Sequence, residues 1–148
     1  MWVVRAGARG RFAAEFHARG VAAIGWRDVG DLAGRSRAEL TAAARELYPG
    51  RSAGTTAGML HRFANDIRLG DWILMPETWS RSLYAGRVTG PYEHRAGERY
   101  PHVRPVAYDQ RFDRDELPPH VRQQLTSMLT VFRPSSQREL REFLAGIT

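Results

Sequence analysis

Apolar residues in the first part of the chain alternate between strand-like runs and helical spacing. The runs Met1–Arg5 and Val21–Ile24 are short, apolar and rich in β-branched residues, which predicts two strands. Between them, Phe12 and Phe16 stand four residues apart, on one face of a predicted helix over 9–19. The chain therefore begins with a predicted strand, helix and strand.

Two further helices are predicted before the middle of the chain. Ser36 and Glu39 form a capping box that opens a helix reaching Tyr48. Thr55 or Thr56 is the predicted N-cap of the next helix. Its apolar positions recur at helical spacing, at Met59, Leu60, Phe63 and Ile67.

The second half of the sequence is richer in strands. Apolar and β-branched runs predict strands over 71–75, 83–88, 103–108 and 129–132, with a short helix over 121–127. Strands mixed with helices, with Gly and Pro at the corners, predict an α/β (α+β) fold. We expect a small curled mixed sheet or open barrel of about five to six strands, with helices packed around it.

The length of the chain and a Pro- and Ser-containing segment near its end predict one folded unit with a short tail. A chain of 148 residues is large enough for a single hydrophobic core. We assign residues 1–133 to one domain, and 134–148 to a linker followed by a short C-terminal helix. Pro134, Ser135 and Ser136 supply the linker character, and the residues after them are amphipathic.

The net charge of the chain indicates the class of partner. All 22 basic residues other than His are Arg, and the net charge of +6 favours a polyanionic partner. The alternative is a GC-rich codon bias that replaces Lys by Arg throughout. Without Lys, the chain has no P-loop, Schiff base or lysine-dependent nuclease site, and without Cys it has no disulfide or thiolate chemistry.

Targeting signals are absent from the printed sequence. No apolar run approaches the roughly 18 residues of a membrane span, and the first residues lack a signal-peptide layout. We expect a cytoplasmic protein without a membrane partner.

Six segments resemble the EVE-type domains of the PUA-like superfamily, which are relatives of the YTH readers of methylated bases. The similarity is greatest to the N-terminal reader domain of Mrr-like modification-dependent restriction endonucleases. The segments that carry it are Met1–Gly7, Ala23–Trp26, Gly70–Leu74, Tyr84–Gly90, Tyr100–Val106 and Arg114–Pro118. Leu129–Phe132, which follows them in the chain, also matches. The resemblance implies a PUA/EVE-like fold over 1–133, and a module that extrudes one base from a duplex into an aromatic pocket. It also implies that cleavage belongs to a fused or partner nuclease.

Aromatic residues at strand ends and in turns are the candidates for that pocket, and we assign base binding to Trp26, Trp79, Tyr84 and Tyr92. By similarity to YTH readers, Trp26 after Ile24 and Gly25 is the first of these, since a methyl group packs well against an indole. The alternative for Trp26 is a core residue that closes the end of the barrel. Tyr100 is a weaker candidate.

Arginines near these aromatic segments are the candidates for contacts with the nucleic-acid backbone, because a guanidinium binds phosphate through two parallel hydrogen bonds. We assign this role to Arg27, Arg81, Arg87, Arg95, Arg99 and Arg104. The alternative is a solvated face paired with Asp and Glu. The five His residues lack metal-binding spacing, and no nucleophile stands beside a general base, so we expect no metal, no cofactor and no catalytic residue.

The sequence therefore predicts a DNA-binding reader. It would flip a methylated or hydroxymethylated cytosine, or N6-methyladenine, into an aromatic cage and serve as the specificity module of a restriction system. Two alternatives remain open: an RNA-binding YTH/PUA-like domain that reads a modified or bulged base, and a small domain that binds nucleotides or nucleosides. In each of these the chain itself is a binding domain rather than an enzyme.

Overall fold

The computed structural model describes residues 1–77 and 79–147, and in this part of the chain five α-helices surround a curled, open half-barrel sheet, as predicted. The strands are β1 (Trp2–Val4), β2 (Val21–Ile24), β3 (Trp72–Pro76), β4 (Ser82–Val88), β5 (Glu93–His94), β6 (His102–Asp113) and β7 (Val131–Phe132). The helices are α1 (Ala13–Arg19), α2 (Arg37–Leu47), α3 (Ala53–His61), α4 (Pro119–Gln124) and α5 (Gln137–Ile147). In the described residues, no helix combines the length and the apolar character needed to span a bilayer.

The sheet runs in the order β2-β6-β4-β3-β1-β7, and the short β5 pairs with β6. Neighbouring strands are antiparallel except for β1 and β3, where Val3 lies opposite Leu74 in parallel register. The path begins at β2 and ends at β7. These two end strands leave the half barrel open between them.

A β-bulge between β4 and β6 contributes to the curl of the sheet. The register shifts between Ala85 and Gly86, where β4 lies against β6. A Cβ atom at Gly86 would lie 2.2 Å from the carbonyl oxygen of Ala107, so only glycine fits this close approach. Bulges bend and twist the strand that carries them, which fits the curl of this sheet.

The core lies on both faces of the sheet because successive residues of a strand point to opposite sides. On one face, Trp2 and Val4 pack with residues of α2 and α3, among them Leu40 and Leu60. On the other face, Val3 packs with residues of α4 and α5. A third cluster joins α1 to β2 and β6 through residues that include Phe16.

The last helix is part of this core. In α5, Leu140 and Leu144 are fully buried in the cluster that also holds Val3. The side chain of Gln137 donates to the carbonyl oxygens of Pro134 (2.7 Å) and Met1 (3.2 Å), which fixes the segment after β7. The described part of the predicted linker and helix over 134–148 is therefore a docked element, and Thr148 lies outside the described residues.

Among the local predictions that need correction are the cap of α3 and the extent of the closing strand. The N-cap of α3 is Ser52, whose Oγ accepts from the Thr55 N–H at 3.3 Å, rather than Thr55 or Thr56. The closing strand β7 is limited to Val131–Phe132, whereas 129–132 was predicted. The N–H of Leu129 donates to the Oγ of Ser127 at 3.3 Å instead of to a neighbouring strand, and Arg5 holds Ser127 by donating to its carbonyl at 2.9 Å.

Candidate functional site

A cleft of about 750 Å³ opens beside the ends of β1 and β2 and the loop that leads into β7. Its volume lies within the roughly 300–1,000 Å³ that is usual for small-molecule sites. Arg5 follows β1, Ile24 ends β2, and Thr130 precedes β7, so three parts of the chain that are distant in sequence meet here. Among the described lining residues none is Asp or Glu.

Trp26 forms one wall of the cleft, and its backbone is held in an unusual conformation. The residue has φ 51° and ψ 45°, the left-handed region, which a bulky residue enters only at an energetic cost. Its ring packs in part against the core cluster of α2 and α3, and the residue is half-buried. Its carbonyl oxygen accepts from the N–H of Val29 (3.2 Å) and interacts with Nε2 of His102 (3.2 Å).

A buried chain of hydrogen bonds behind Trp26 explains how this conformation is maintained. Since the Trp26 carbonyl can only accept, Nε2 of the neutral His102 must carry the proton, and Nδ1 must then accept. The hydroxyl of Tyr92 donates to that Nδ1 at 2.8 Å and accepts from the N–H of Leu32 at 3.1 Å. Burial lowers the pKa of His102 below its ordinary value and raises the pKa of Tyr92 to about 12, so both stay neutral.

Tyr100 forms another wall, and its ring is fixed by aromatic packing. Ring centroids lie 5.3 Å apart for Phe12 and Tyr100, and 5.6 Å apart for Phe16 and Tyr100. Gly7, with φ +76°, lines the cleft next to them. A Cβ atom there would lie 2.5 Å from Cδ2 of Phe12 and 3.0 Å from the Tyr100 hydroxyl, so the close approach requires glycine.

Three arginines, Arg5, Arg9 and Arg114, bring positive charge to the cleft. Arg5 donates from Nε to the carbonyl of Ser127 (2.9 Å) and from Nη2 to that of Leu125 (3.0 Å), so it organises the loop before β7. Burial lowers the pKa of Arg5, and the positive charge of Arg114 lowers it further. Two guanidinium groups thus repel each other along a wall that lacks a carboxylate among its described residues.

Arg114 and Arg9 are two arginines of this wall that have no carboxylate partner among the described residues. The Nε of Arg114 is buried and has no hydrogen-bond partner among the described residues. A buried N–H donor without an acceptor is costly to the folded state. Arg9 is exposed, and no carboxylate of the described chain lies within ion-pair distance of it.

The loop before β7 forms the outer rim of the cleft. Leu125 anchors it in the core, and the carbonyl of Thr130 accepts from the Arg5 N–H at 2.8 Å. Between these anchors, the side chain of Met128 is 82% exposed although it borders the cleft. A flexible, polarizable thioether in this position suits contact with ligands of varied shape.

Only one of the four aromatic residues predicted for the base pocket lines this cleft, namely Trp26. Trp79 is 85% exposed in the turn between β3 and β4. Tyr84 is buried, and its ring stacks on that of His17 with centroids 4.3 Å apart. Tyr92 supports the backbone of Trp26 through His102, which is a positioning role rather than the predicted contact.

The six arginines predicted to bind the backbone are dispersed. Arg81 is paired with Asp115 (Nε to Oδ2, 3.0 Å), Arg95 is paired with Glu93, and Arg87 lies over the ring of Trp72 at 4.1 Å. The sites of Arg81 and Arg95 match the alternative of a solvated face paired with Asp and Glu. Arg27 lines a separate, smaller cleft with Asp28, His94 and neighbouring residues.

Arg104 and Arg99 differ most in their exposure to solvent. Arg104 is 3% exposed and donates to the carbonyls of Gly90, Phe63 and Ile67, so its predicted contact with phosphate is replaced by a structural role. Arg99 is exposed and lies over the ring of Tyr100 at 5.8 Å, next to the cleft wall.

Sequence reasoning missed Arg5, Arg9, Arg114 and Met128 as residues of the cleft. Each belongs to a segment that is ordinary in sequence, and they converge only because β1 and β7 pair and β6 carries the chain back to Arg114. The one available signal was that Arg5 and Arg114 both fall within segments of the EVE-like resemblance.

The cleft offers two aromatic walls, guanidinium donors and an apolar rim. Its described lining contains no carboxylate and no imidazole. Among the described residues, no three His, Asp or Glu side chains gather as a candidate metal site.

Comparison with known proteins gives one match. A family model described as "Domain of unknown function (DUF8426)" matches residues 2–133. No curated protein and no solved structure matches the chain. The matched range reaches from β1 through β7 and contains every lining residue of the cleft.

Proposed function

Because the chain belongs to DUF8426, whose description assigns no function, we propose one from the cleft itself: the protein is a reader that holds one extruded, modified base of duplex DNA beside Trp26. The observation that carries this proposal is the composition of the cleft. The cleft of about 750 Å³ is lined by aromatic rings and three arginines, and its described lining contains no carboxylate.

The aromatic walls supply the attraction for a base. Stacking of a base on an aromatic side chain is worth roughly 1–3 kcal/mol, which is comparable to the few kcal/mol that extrusion from a duplex costs. Trp26 and Tyr100 each line the cleft, and both are fixed from behind, by the His102 hydrogen bond and by the phenylalanines of α1 and the turn before it. Because these rings are already fixed, little of the stacking free energy is lost to ordering them on binding.

The arginines supply the attraction for the phosphates that flank the base. Arg9 is exposed and unpaired by any described carboxylate, and Arg114 has a buried donor without an acceptor. A phosphate can accept hydrogen bonds from the exposed guanidinium of Arg9. It also relieves the repulsion between Arg5 and Arg114.

Two observations favour a modified base. The apolar side chain of Met128 at the rim provides surface against which a methyl group can be removed from water, a gain of about 0.8 kcal/mol for each buried CH₂ group. The segments that resemble EVE-type and YTH domains include the strand ends that build this cleft. In this proposal any cleavage of DNA belongs to a fused or partner nuclease.

The test is a binding titration with matched duplexes that differ at one position: cytosine, 5-methylcytosine, 5-hydroxymethylcytosine, adenine or N6-methyladenine. One modified duplex should bind about fourfold or more tightly than its unmodified counterpart, which corresponds to one buried methyl group. A matched RNA duplex in the same series distinguishes DNA from RNA reading. Equal affinities for all five DNA duplexes would overturn the proposal.

A further inference from the structure

A second cleft lies against the same tryptophan. It has a volume of about 420 Å³, and it shares Trp26, Met128 and Thr130 with the larger cleft. The indole of Trp26 and the rim of the loop before β7 therefore separate two adjoining spaces. The two clefts are neighbours rather than independent sites.

The lining of the second cleft differs from that of the first. It combines Met59 of α3 and the half-buried Tyr48 with Arg51, Ser52 and Thr55. Its described lining, like that of the larger cleft, contains no Asp or Glu. An aromatic and apolar floor with one cation at the edge fits the chemistry of a nucleobase that carries a phosphate.

Arg51 is free to make such a contact. It is exposed, and none of the described carboxylates lies within ion-pair distance of it. The neighbouring hydroxyls are less available, since the Oγ of Ser52 accepts from the Thr55 N–H and donates to the Thr55 Oγ1 at 3.0 Å. Charge in this cleft therefore depends on Arg51.

We propose that the second cleft holds the nucleotide next to the extruded base, so that Trp26 separates two consecutive bases and the protein reads a dinucleotide. This inference rests on the proposed function, because the first base must occupy the larger cleft. An aromatic ring inserted between two bases replaces the stacking that they lose when they separate. Arg9 and Arg114 then serve one nucleotide, and Arg51 serves the other.

Met128 extends this arrangement to both nucleotides. Its exposed side chain borders both clefts, so one adaptable residue covers the edges of both bases. The size of the second cleft is smaller than that of the first. We therefore expect the neighbouring position to prefer some bases over others.

The experiment uses the full chain and the modified duplex that binds best in the first titration. The nucleotide on the 5′ side, and separately on the 3′ side, of the modified base is replaced by an abasic analogue. One of these two replacements should weaken binding at least about fivefold, the lower end expected for one lost stacking contact. The preference for modified over unmodified base should persist.

Protein variants add a second readout. Arg51→Gln should weaken binding to the intact modified duplex, and it should leave the ratio between modified and unmodified duplexes unchanged. Arg45→Gln is the matched control, because Arg45 is exposed on α2 and lies outside both clefts. Thermal melting of both variants verifies that they are folded.

The possible failures are distinguishable in the same data. A protein that prefers the modified base but tolerates either abasic neighbour within about twofold, with Arg51→Gln equal to Arg45→Gln, would overturn the dinucleotide inference alone. A parent protein without any preference for a modified duplex would overturn the proposed function and this inference together.

Discussion

At the scale of single residues, Trp26 packs partly on the core and also lines the clefts, so its core contacts are compatible with the proposed base contact. Part of its ring packs on the core formed with α2 and α3, and part of it faces the clefts. The left-handed backbone costs on the order of 1–3 kcal/mol, and hydrogen bonds from Val29 and His102 to its carbonyl offset that cost. Strain held in this way is typical of sites where a side chain must point in a fixed direction.

Trp26→Ala should impair binding more than stability. A fully buried Trp→Ala change costs about 3–5 kcal/mol, so a half-buried ring should cost less, while the loss of stacking should remove the preference for modified DNA. Thermal melts and binding titrations on one sample measure both effects. Trp79→Ala is the matched control and should change neither, since Trp79 is 85% exposed and outside the cleft. Normal discrimination by Trp26→Ala would place the site elsewhere.

Gly25→Ala tests the close approach of a ligand to the backbone. A Cβ atom at Gly25 would lie 3.7 Å from the ring of Tyr100, an ordinary contact, so the variant should fold with an unchanged melting temperature. The same methyl group enters the cleft, which Gly25 lines, and should weaken binding of the modified duplex severalfold. Gly30→Ala is not a suitable control because Gly30 has φ +77° and would be strained. A variant that binds like the parent would show that the ligand stays away from Gly25.

His102 should make stability depend on pH. Burial lowers the pKa of His102 below its ordinary value of 6.5, so the unfolded chain binds a proton more readily than the folded one. The contribution of His102 to stability is therefore complete above about pH 6.5 and is lost as the pH falls toward its pKa in the folded state. Chemical denaturation at about pH 7 and about pH 5 measures the loss. His102→Gln, which keeps a donor near the Trp26 carbonyl but cannot titrate, should show a smaller difference, and an equal difference would contradict this assignment.

At the scale of elements, α5 is a stabilising part of the domain. Leu140 is fully buried against the sheet, so Leu140→Ala should lower the free energy of unfolding by about 2–5 kcal/mol. Arg138→Ala is the control on the same helix, because its side chain is 91% exposed and pairs only locally with Glu142. Urea denaturation of both variants makes the comparison. Equal stabilities of the two variants would show that the packing of α5 does not stabilise the domain.

Elements with strong local signals were predictable. The capping box at Ser36 and Glu39 is present, with the Glu39 N–H donating to the Ser36 Oγ at 3.1 Å, and the curled mixed sheet is confirmed. Where several caps competed, local reasoning failed, and Ser52 rather than Thr55 or Thr56 opens α3. The length of β7 also depended on a distant residue, since Arg5 binds the loop before it.

The site was predictable only in part, because its residues meet through topology. Trp26 was identifiable as an aromatic residue at a strand end, and the structure places it in the cleft. Arg114 is separated from Trp26 by most of the chain, and only the path of β6 brings the two together. Tyr92 was an equally good candidate in sequence. It lies next to β5, which pairs with β6, and its hydroxyl therefore reaches His102 of β6 instead of the cleft.

At the scale of the whole molecule, the arginine surplus is divided between structural and available groups. Arg104 donates to backbone carbonyls, and Arg81 and Arg95 are paired with carboxylates. A general codon bias explains arginines such as these. It does not explain the concentration of three arginines in a cleft without a described carboxylate, and this local excess supports a polyanionic ligand.

Binding to DNA should therefore weaken steeply with salt, and part of that dependence should belong to the cleft. Each phosphate contact contributes about −0.9 to the slope of log affinity against log salt on duplex DNA. Arg9→Gln should make the slope shallower by about one such contact, because Arg9 is exposed, lines the cleft and has no described carboxylate partner. Arg138→Gln removes the same charge from an exposed position on α5, outside the cleft, and should leave the slope nearly unchanged. Titrations between about 50 and 200 mM salt provide the comparison. An affinity that stays flat over this range would show that the arginine surplus reflects codon bias, and equal slopes for the two variants would place the phosphate contacts outside the cleft.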